Sequence, residues 1–277
     1  MSTREERVLV FADTMRHCQT DPELILAISE ARAKTEIIPE DFYPEYDHTP
    51  RFETEVTVTK NRSFEAVINL KKEYPEAKTA VLNFANAFEP GGGVTSGAGA
   101  QEECLCRCST LYPVLTDPAL KQGFYDFHRE RHDSRASDTL IYTEDVVIFK
   151  SDTDLPELLD RKDRVKTDVM TCAAPDLRYK PHLPADYSAE MTDEELYACH
   201  LRRARHLLTA AAAKGADTLV LGAFGCGAFQ NNPEVVANAY RTVLKEFTGI
   251  FRKIEFAVFC QPWAIENYEL FARILQP

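Results

Sequence analysis

Glycine is scarce in this chain: 11 of 277 residues, about 4% where ~7% is usual. No uncharged apolar run approaches the roughly 18 residues that a membrane-crossing helix needs. Basic residues are outnumbered, with 32 Lys and Arg against 44 Asp and Glu for a formal charge of −12. A broad basic face for duplex nucleic acid is therefore not expected, and neither is sequence-specific nucleic-acid binding. The start of the chain lacks the pattern of a secretory leader: Arg4, Glu5, Glu6 and Arg7 precede the first apolar run, and no small-residue cleavage site follows. With eight cysteines and no such leader, the expectation is reduced thiols in the cytoplasm, or in the nucleus of a eukaryotic cell.

What remains is an ordinary globular composition, 44% apolar and 27% charged, with enough chain for a sizeable core. Thr3 with Glu6 forms a capping box before a helix to about Cys18, and Asp21-Pro22 starts a second to about Lys34. Residues 39–50, rich in proline and aromatics, read as an extended connection. Residues 1–50 are accordingly expected to be a helical extension packed on one domain spanning 51–277. From residue 54 strands and helices alternate. Strands are expected at 54–59, 79–85, 139–149, 168–173, 218–223 and 254–260. Between them helices are expected at 64–73, 101–112, 118–131, from the Thr192/Glu195 capping box to Lys214-Gly215, from Asn232-Pro233, and at the end to Leu275. Near-continuous apolar strands alternating with helices imply an α/β fold with a mostly parallel sheet.

The few glycines are clustered: five lie between Gly91 and Gly99, and three more are Gly222, Gly225 and Gly227. Both clusters follow a strand and precede a helix. A lone glycine triplet reads first as a surface turn. Two strand–glycine–helix junctions together point to a cleft in which backbone amides face an anion, beyond the carboxyl ends of the strands. The second lacks the Gly-Lys-Ser/Thr of a Walker loop. Glu102 and Glu103 open the helix after the first cluster. Glutamate there commonly just complements the helix dipole. A carboxyl beside a diphosphate, or partly desolvated, can instead serve as a general acid. Adjacent helical residues diverge by about 100°, so only one of the two is expected to point into the cleft.

The run from Asn83 to Tyr112, with Gly91-Gly92-Gly93, seven residues, then Gln101-Glu102-Glu103, resembles the signature of bacterial-type poly(ADP-ribose) glycohydrolases, which are catalytic macrodomains. The Gly222–Phe229 loop, the strand end Thr171-Cys172-Ala173-Ala174-Pro175 and the N-terminal helices share that resemblance. It implies a three-layer α/β/α macrodomain with a mixed, mostly parallel sheet and an N-terminal helical extension. It implies hydrolysis of ribose–ribose O-glycosidic bonds in poly(ADP-ribose) with no metal or other cofactor. By position, Glu103 is then the catalytic acid, and Glu102 holds a ribose hydroxyl, with Gln101 nearby. Gly91, Gly92 and Gly93 meet the diphosphate and distal ribose, while Asn83 and Asn86 face that ribose. Gly225, Cys226, Gly227 and Ala228 form the second diphosphate loop, and Phe229 packs on the ribose. Asp176 departs from the asparagine expected after Ala-Pro and brings a negative charge near the anion site.

Partners implied are ADP-ribose, its polymer or an ADP-ribosylated protein, with no membrane. A reader that binds without cutting and a mono-ADP-ribosyl hydrolase are the alternatives. Cys104, Cys106 and Cys108 alternate at a spacing that cannot converge on one ion from a helix and are expected to fill space. The seven histidines carry no metal-motif spacing, and Arg202, Arg203 and Arg205 are expected on a solvated helix face. Tyr112, Tyr125, Tyr142 and Tyr179 are the candidates for stacking on adenine.

Overall fold

Strands that are apolar nearly throughout must be covered on both faces, and the computed structural model shows how. It describes residues 2–179 and 190–276. Seven strands form one sheet: β1 (Glu36–Ile38), β2 (Glu55–Thr59), β3 (Thr79–Phe84), β4 (Leu140–Ile148), β5 (Val165–Cys172), β6 (Thr218–Leu221) and β7 (Lys253–Ala257). Their order is β1-β4-β5-β3-β6-β7-β2. The run from β5 to β2 is parallel, while β4 is antiparallel to both β1 and β5.

The helices are α1 (Arg4–Thr20), α2 (Pro22–Ala33), α3 (Ser63–Glu73), α4 (Gln101–Cys108), α5 (Leu111–Leu115), α6 (Pro118–Leu120), α7 (Phe127–Arg131), α8 (Asp193–Ala213), α9 (Pro233–Leu244) and α10 (Glu266–Leu275). Both predicted capping boxes form, as do the Asp21-Pro22 and Asn232-Pro233 starts. The period-two pattern sends Leu82, Met170, Leu219, Leu221 and Phe256 to a core under α8, α9 and α10. Val81, Val169, Val220 and Ala257 face the opposite core, under α1 to α5. Helix–sheet–helix layering therefore follows from strand alternation.

Three expectations need revision. Residues 36–38 form an edge strand that sequence reading missed; three residues are too few to show a period. The helix expected over 101–112 breaks at Ser109, whose hydroxyl donates to the Leu105 carbonyl and accepts from the Leu111 N–H, replacing helical bonds. That expected over 118–131 runs through α6, a π-helical turn at Lys121–Asp126 and α7. Phe11, Leu24, Ile28 and Ala31 lie in the same core as Val81, and β1 completes the sheet edge.

Candidate active site

At the carboxyl end of β3 the chain turns on Asn86, whose side-chain oxygen accepts from the N–H groups of Phe88 and Glu89. It then reverses through Gly91 and Gly92 in the left-handed region, at φ +69° and +55°, which glycine alone adopts freely. This turn lays the loop over the first turn of α4. A Cβ on Gly92 would stand 2.6 Å from Glu103 Oε1 and 3.1 Å from Glu102 Oε2. Both carboxyls therefore converge on this loop and line the same cleft. The expectation that only one would face it fails because the loop curls around the helix end and meets both side chains.

The two are held differently. Glu102 Oε2 accepts the Asn86 N–H at 2.8 Å, and Oε1 the Asn83 amide at 3.3 Å. Burial, with repulsion from Glu103, pushes its carboxyl up to about 8 against the pull of the Asn86 N–H. Glu103 Oε1 accepts the Gly93 N–H at 2.9 Å, while its Oε2 is buried with no hydrogen-bond partner. Gln101 anchors the helix start to β3. Its oxygen accepts from Phe84 N–H, and its nitrogen donates to Ser63 Oγ and the Leu82 carbonyl.

The second loop follows β6. Gly225, at φ +78°, sits where a side chain would strike Ala174 and Asn231. Asn231, fully buried, donates to the carbonyls of Pro175 and Phe229, and its Oδ1 accepts from His200 Nε2 at 2.7 Å. That clamp shapes the turn. The N–H groups of Gly225, Gly227, Ala228 and Phe229 take no backbone partner among the described residues. Ala100, the N-cap of α4, likewise gives no side-chain bond to that helix's first amides. The result is a cleft of about 670 Å³ lined by these loops, the two carboxyls and four arginines, Arg7, Arg62, Arg107 and Arg178.

Of the predicted site residues, Asn86, Gly93, Gln101, Glu102, Glu103, Gly225, Gly227, Ala228 and Phe229 line the cleft. Asn83, Gly91, Gly92 and Cys226 do not. Asn83 is wholly buried behind Glu102. Gly91 and Gly92 pass over Tyr112 and the carboxyls, and that close approach by itself demands glycine there. The Cys226 side chain packs on the core, and its N–H is spent on the Ala223 carbonyl.

None of the four tyrosines lines the cleft: Tyr125 and Tyr142 are fully buried, Tyr112 packs on Phe11, and Tyr179 is 83% exposed. The rings that do line it are Phe84, Phe224, Phe229 and the 46%-exposed Phe259. Phe259 follows β7, so its place just past a parallel strand was the available signal. Arg203, expected in solvent, is 2% exposed. It pairs with Asp138 and donates to the Ala173 and Arg135 carbonyls, binding α8 to the end of β5. Helical charge patterning could not show that a tertiary partner awaited it. Asp176 is also buried, and it grips Arg178 through two hydrogen bonds of 2.8 and 2.6 Å. The departure from asparagine thus fixes an arginine in the cleft wall. From the N-terminal helix, Arg7 reaches the cleft unanticipated and donates to the Gly97 carbonyl.

Comparison with known proteins agrees with this arrangement. Residues 12–151 match the family model "Microbial-type PARG, catalytic domain". The poly(ADP-ribose) glycohydrolase of Thermomonospora curvata is 30% identical, with a TM-score of 0.86 over 98% of this chain and 99% of that one. Its complex with the inhibitor ADP-HPD is matched at 29% identity and a TM-score of 0.82, over 97% and 99%. The Deinococcus radiodurans enzyme in complex with ADP-ribose is 33% identical, with a TM-score of 0.75 over 90% and 96%. No curated protein sequence matches the chain. By family model, fold and motif, this chain belongs to the microbial-type poly(ADP-ribose) glycohydrolases, glycosidases that hydrolyse poly(ADP-ribose).

Proposed function

We propose that Glu103 transfers the proton in this hydrolysis, and that the two glycine loops hold the ADP-ribose unit being released. The observation that carries the assignment is the asymmetry of the Glu103 carboxyl: one oxygen is fixed by Gly93 N–H and the other is free of partners. A fixed group with one oxygen left without a partner suits proton delivery to a leaving atom. As the glycosidic bond lengthens, positive charge grows on the anomeric carbon while the leaving ribose oxygen takes the Glu103 proton. Water then adds to that carbon and returns a proton to Glu103. The substrate's own diphosphate, held on the Gly225–Phe229 amides, offsets the developing charge.

Glu102 has a different task. Its raised proton affinity keeps it protonated at neutral pH, where it holds a ribose hydroxyl without adding a second full charge. Phe259 is the exposed ring available to the base. Among the candidate ligands, ADP-ribose, its polymer and ADP-ribosylated protein all present the diphosphate that the loop suits. The test is Glu103→Gln: release of ADP-ribose from the polymer should cease while free ADP-ribose still binds. Turnover at the wild-type rate would refute the assignment. A reader module would show no release even from the unaltered protein.

A further inference from the structure

The Gly93 N–H that holds Glu103 belongs to a loop, and the loop is itself held from the start of the chain. Residues 94–100, the seven between the glycine triplet and Gln101, are not slack. Val94 is buried in the core, and the Gly93 carbonyl accepts from the N–H groups of Ser96 and Ala98 at 3.1 and 3.0 Å. The chain then reverses at Gly97, φ +73°, where a Cβ would strike the Arg4 carbonyl oxygen of α1. Beside that contact Arg7, half-buried in the cleft wall, donates from Nε to the Gly97 carbonyl at 2.7 Å. Its Nη1 donates to the Ser2 carbonyl at 2.6 Å. Charged bonds from a planar guanidinium are strong and directional.

The same helix grips the other partner of the Gly93–Glu103 bond. Thr14 follows Arg7 by seven residues, two turns on and on the same face of α1. Its buried hydroxyl donates to the Arg107 carbonyl at 2.6 Å, and Arg107 lies one turn beyond Glu103 in α4. Helix α1 is thus tied both to the loop that supplies the N–H and to the helix that carries the carboxyl. Arg107 joins those two directly, donating to the Ala98 carbonyl at 2.7 Å.

We propose that Arg7 is a positioning residue for the hydrolysis: it sets the Glu103 carboxyl by fixing the loop whose Gly93 N–H orients it. The inference rests on the role given to Glu103 above, and it makes α1 part of the catalytic apparatus. Without Arg7 the loop keeps its Arg107 bond but loses its tie to α1, and the proton donor is no longer aimed in one direction. Among the described residues no hydrogen bond joins α1 to the Gly225–Phe229 loop, so ADP-ribose binding is spared.

The experiment compares Arg7→Met, which keeps an unbranched side chain and removes its donors, with Arg16→Met. Arg16 lies on the same helix, 60% exposed and bonded to Asp13 and His17 rather than to the loop. Two substrates separate proton delivery from general damage. The ribose oxygen leaving from poly(ADP-ribose) needs a proton, whereas a nitrophenol on the anomeric carbon of ADP-ribose leaves with little protonation. On polymer, Arg7→Met should lower kcat about tenfold, short of the ~100-fold of a full 1 Å misplacement. Its KM and its Kd for ADP-ribose should stay within about twofold of wild type. On the nitrophenyl substrate the deficit should shrink to below about threefold. Arg16→Met should match wild type on both. A kcat on polymer within about threefold of wild type for Arg7→Met overturns the inference. So does an equal deficit on both substrates, a loss shared by Arg16→Met, or an ADP-ribose Kd that rises as kcat falls. Glu103→Gln, measured alongside, separates the two readings. If it turns over polymer at the wild-type rate, the role of Glu103 falls and that of Arg7 with it. If it is inactive while Arg7→Met is unimpaired, only the role of Arg7 falls.

Discussion

Replacing Gly92 by alanine tests whether the glycine triplet exists to seat the carboxyls. Its φ of +55° costs an alanine about 1–2 kcal/mol, partly offset by the ~0.4–1 kcal/mol gained from a stiffer unfolded chain. Net destabilisation of about 1 kcal/mol should lower Tm by roughly 2–4 °C. The larger effect is local. The new Cβ would lie 2.6 Å from Glu103 Oε1, against 3.4 Å for ordinary contact, so the carboxyl must retreat by about 3.4 − 2.6 = 0.8 Å. That retreat strains the Gly93 N–H bond and moves the free oxygen with it. A misplacement near 1 Å costs on the order of 100-fold in rate, about 2.7 kcal/mol of barrier. Gly215→Ala is the matched control: its φ is +73° and nothing lies within 4 Å of an added Cβ. Both variants should melt slightly early in a thermal scan. Only Gly92→Ala should lose ADP-ribose release from polymer, followed chromatographically. If Gly92→Ala keeps kcat within about threefold of wild type, the seating argument is wrong. If Gly215→Ala loses as much rate, the effect is global and says nothing of the carboxyls.

Three other outcomes follow from the same geometry. Glu102 binds its proton more tightly folded than unfolded, with its carboxyl pushed from 4.5 to about 8. Its contribution to stability is greatest below about pH 4.5 and declines by on the order of a few kcal/mol as pH rises to about 8. The difference in melting temperature between wild type and Glu102→Gln should therefore slope across that window, and a flat difference would contradict it. Asn231→Ala strips the Pro175 and Phe229 carbonyls and His200 of a shared partner. It should cost about 2–3 kcal/mol in urea unfolding and weaken ADP-ribose binding several-fold by calorimetry; tight binding with unchanged stability would refute the clamp. Arg203→Leu leaves Asp138 short of its buried partner and should cost about 3–5 kcal/mol, against under ~1 kcal/mol for the half-buried Arg205→Leu, which loses a surface pair with Glu246; equal losses would deny Arg203 its internal role.

How much of this was legible in the sequence depended on whether the cause was local. Capping boxes act within four residues, and both were readable before the structure. Strand alternation acts through period two, so the layers and the parallel core of the sheet could be anticipated. Both glycine loops could be placed, because a strand, a glycine cluster and a helix start are contiguous. What escaped depends on partners far along the chain. Arg203 looks like a surface cation until Asp138, 65 residues away, is folded against it. Glu102 and Glu103 look divergent on a helical wheel until the preceding loop is seen to curl around them. Phe259 and Arg7 enter the cleft from opposite ends of the sequence; a place just past β7 was the one local signal for Phe259, and nothing near Arg7 announces it. The tyrosines misled because aromatic character says nothing of burial, and Tyr142 spends its hydroxyl on Asp168 within the core.

An acidic chain that takes a doubly negative ligand presents an electrostatic problem, and the cleft's arginines do not answer it directly. Each already donates to protein groups, but only Arg62 and Arg178 are paired with carboxylates. Arg7 donates to the carbonyls of Gly97 and Ser2, Arg62 pairs with Asp154, Arg107 donates to the Ala98 carbonyl, and Arg178 is locked to Asp176. They fix loops and walls. The groups left open to a diphosphate are the amides of Gly225, Gly227, Ala228 and Phe229, small dipoles held by a turn that His200 and Asn231 keep rigid. Fixed dipoles need no reorganisation when the ligand arrives. They also act only at hydrogen-bond range, so an anion of the wrong shape gains little from them. A field of free arginines would attract any polyanion at the Debye distance and beyond. Net charge of −12 repels such competitors, and on the function proposed above the loop amides take a ligand whose phosphates fit the turn. Scarcity of glycine elsewhere and its concentration here are thus two sides of one design: side-chain-bearing backbone for the scaffold, and bare backbone where amides must face the cleft.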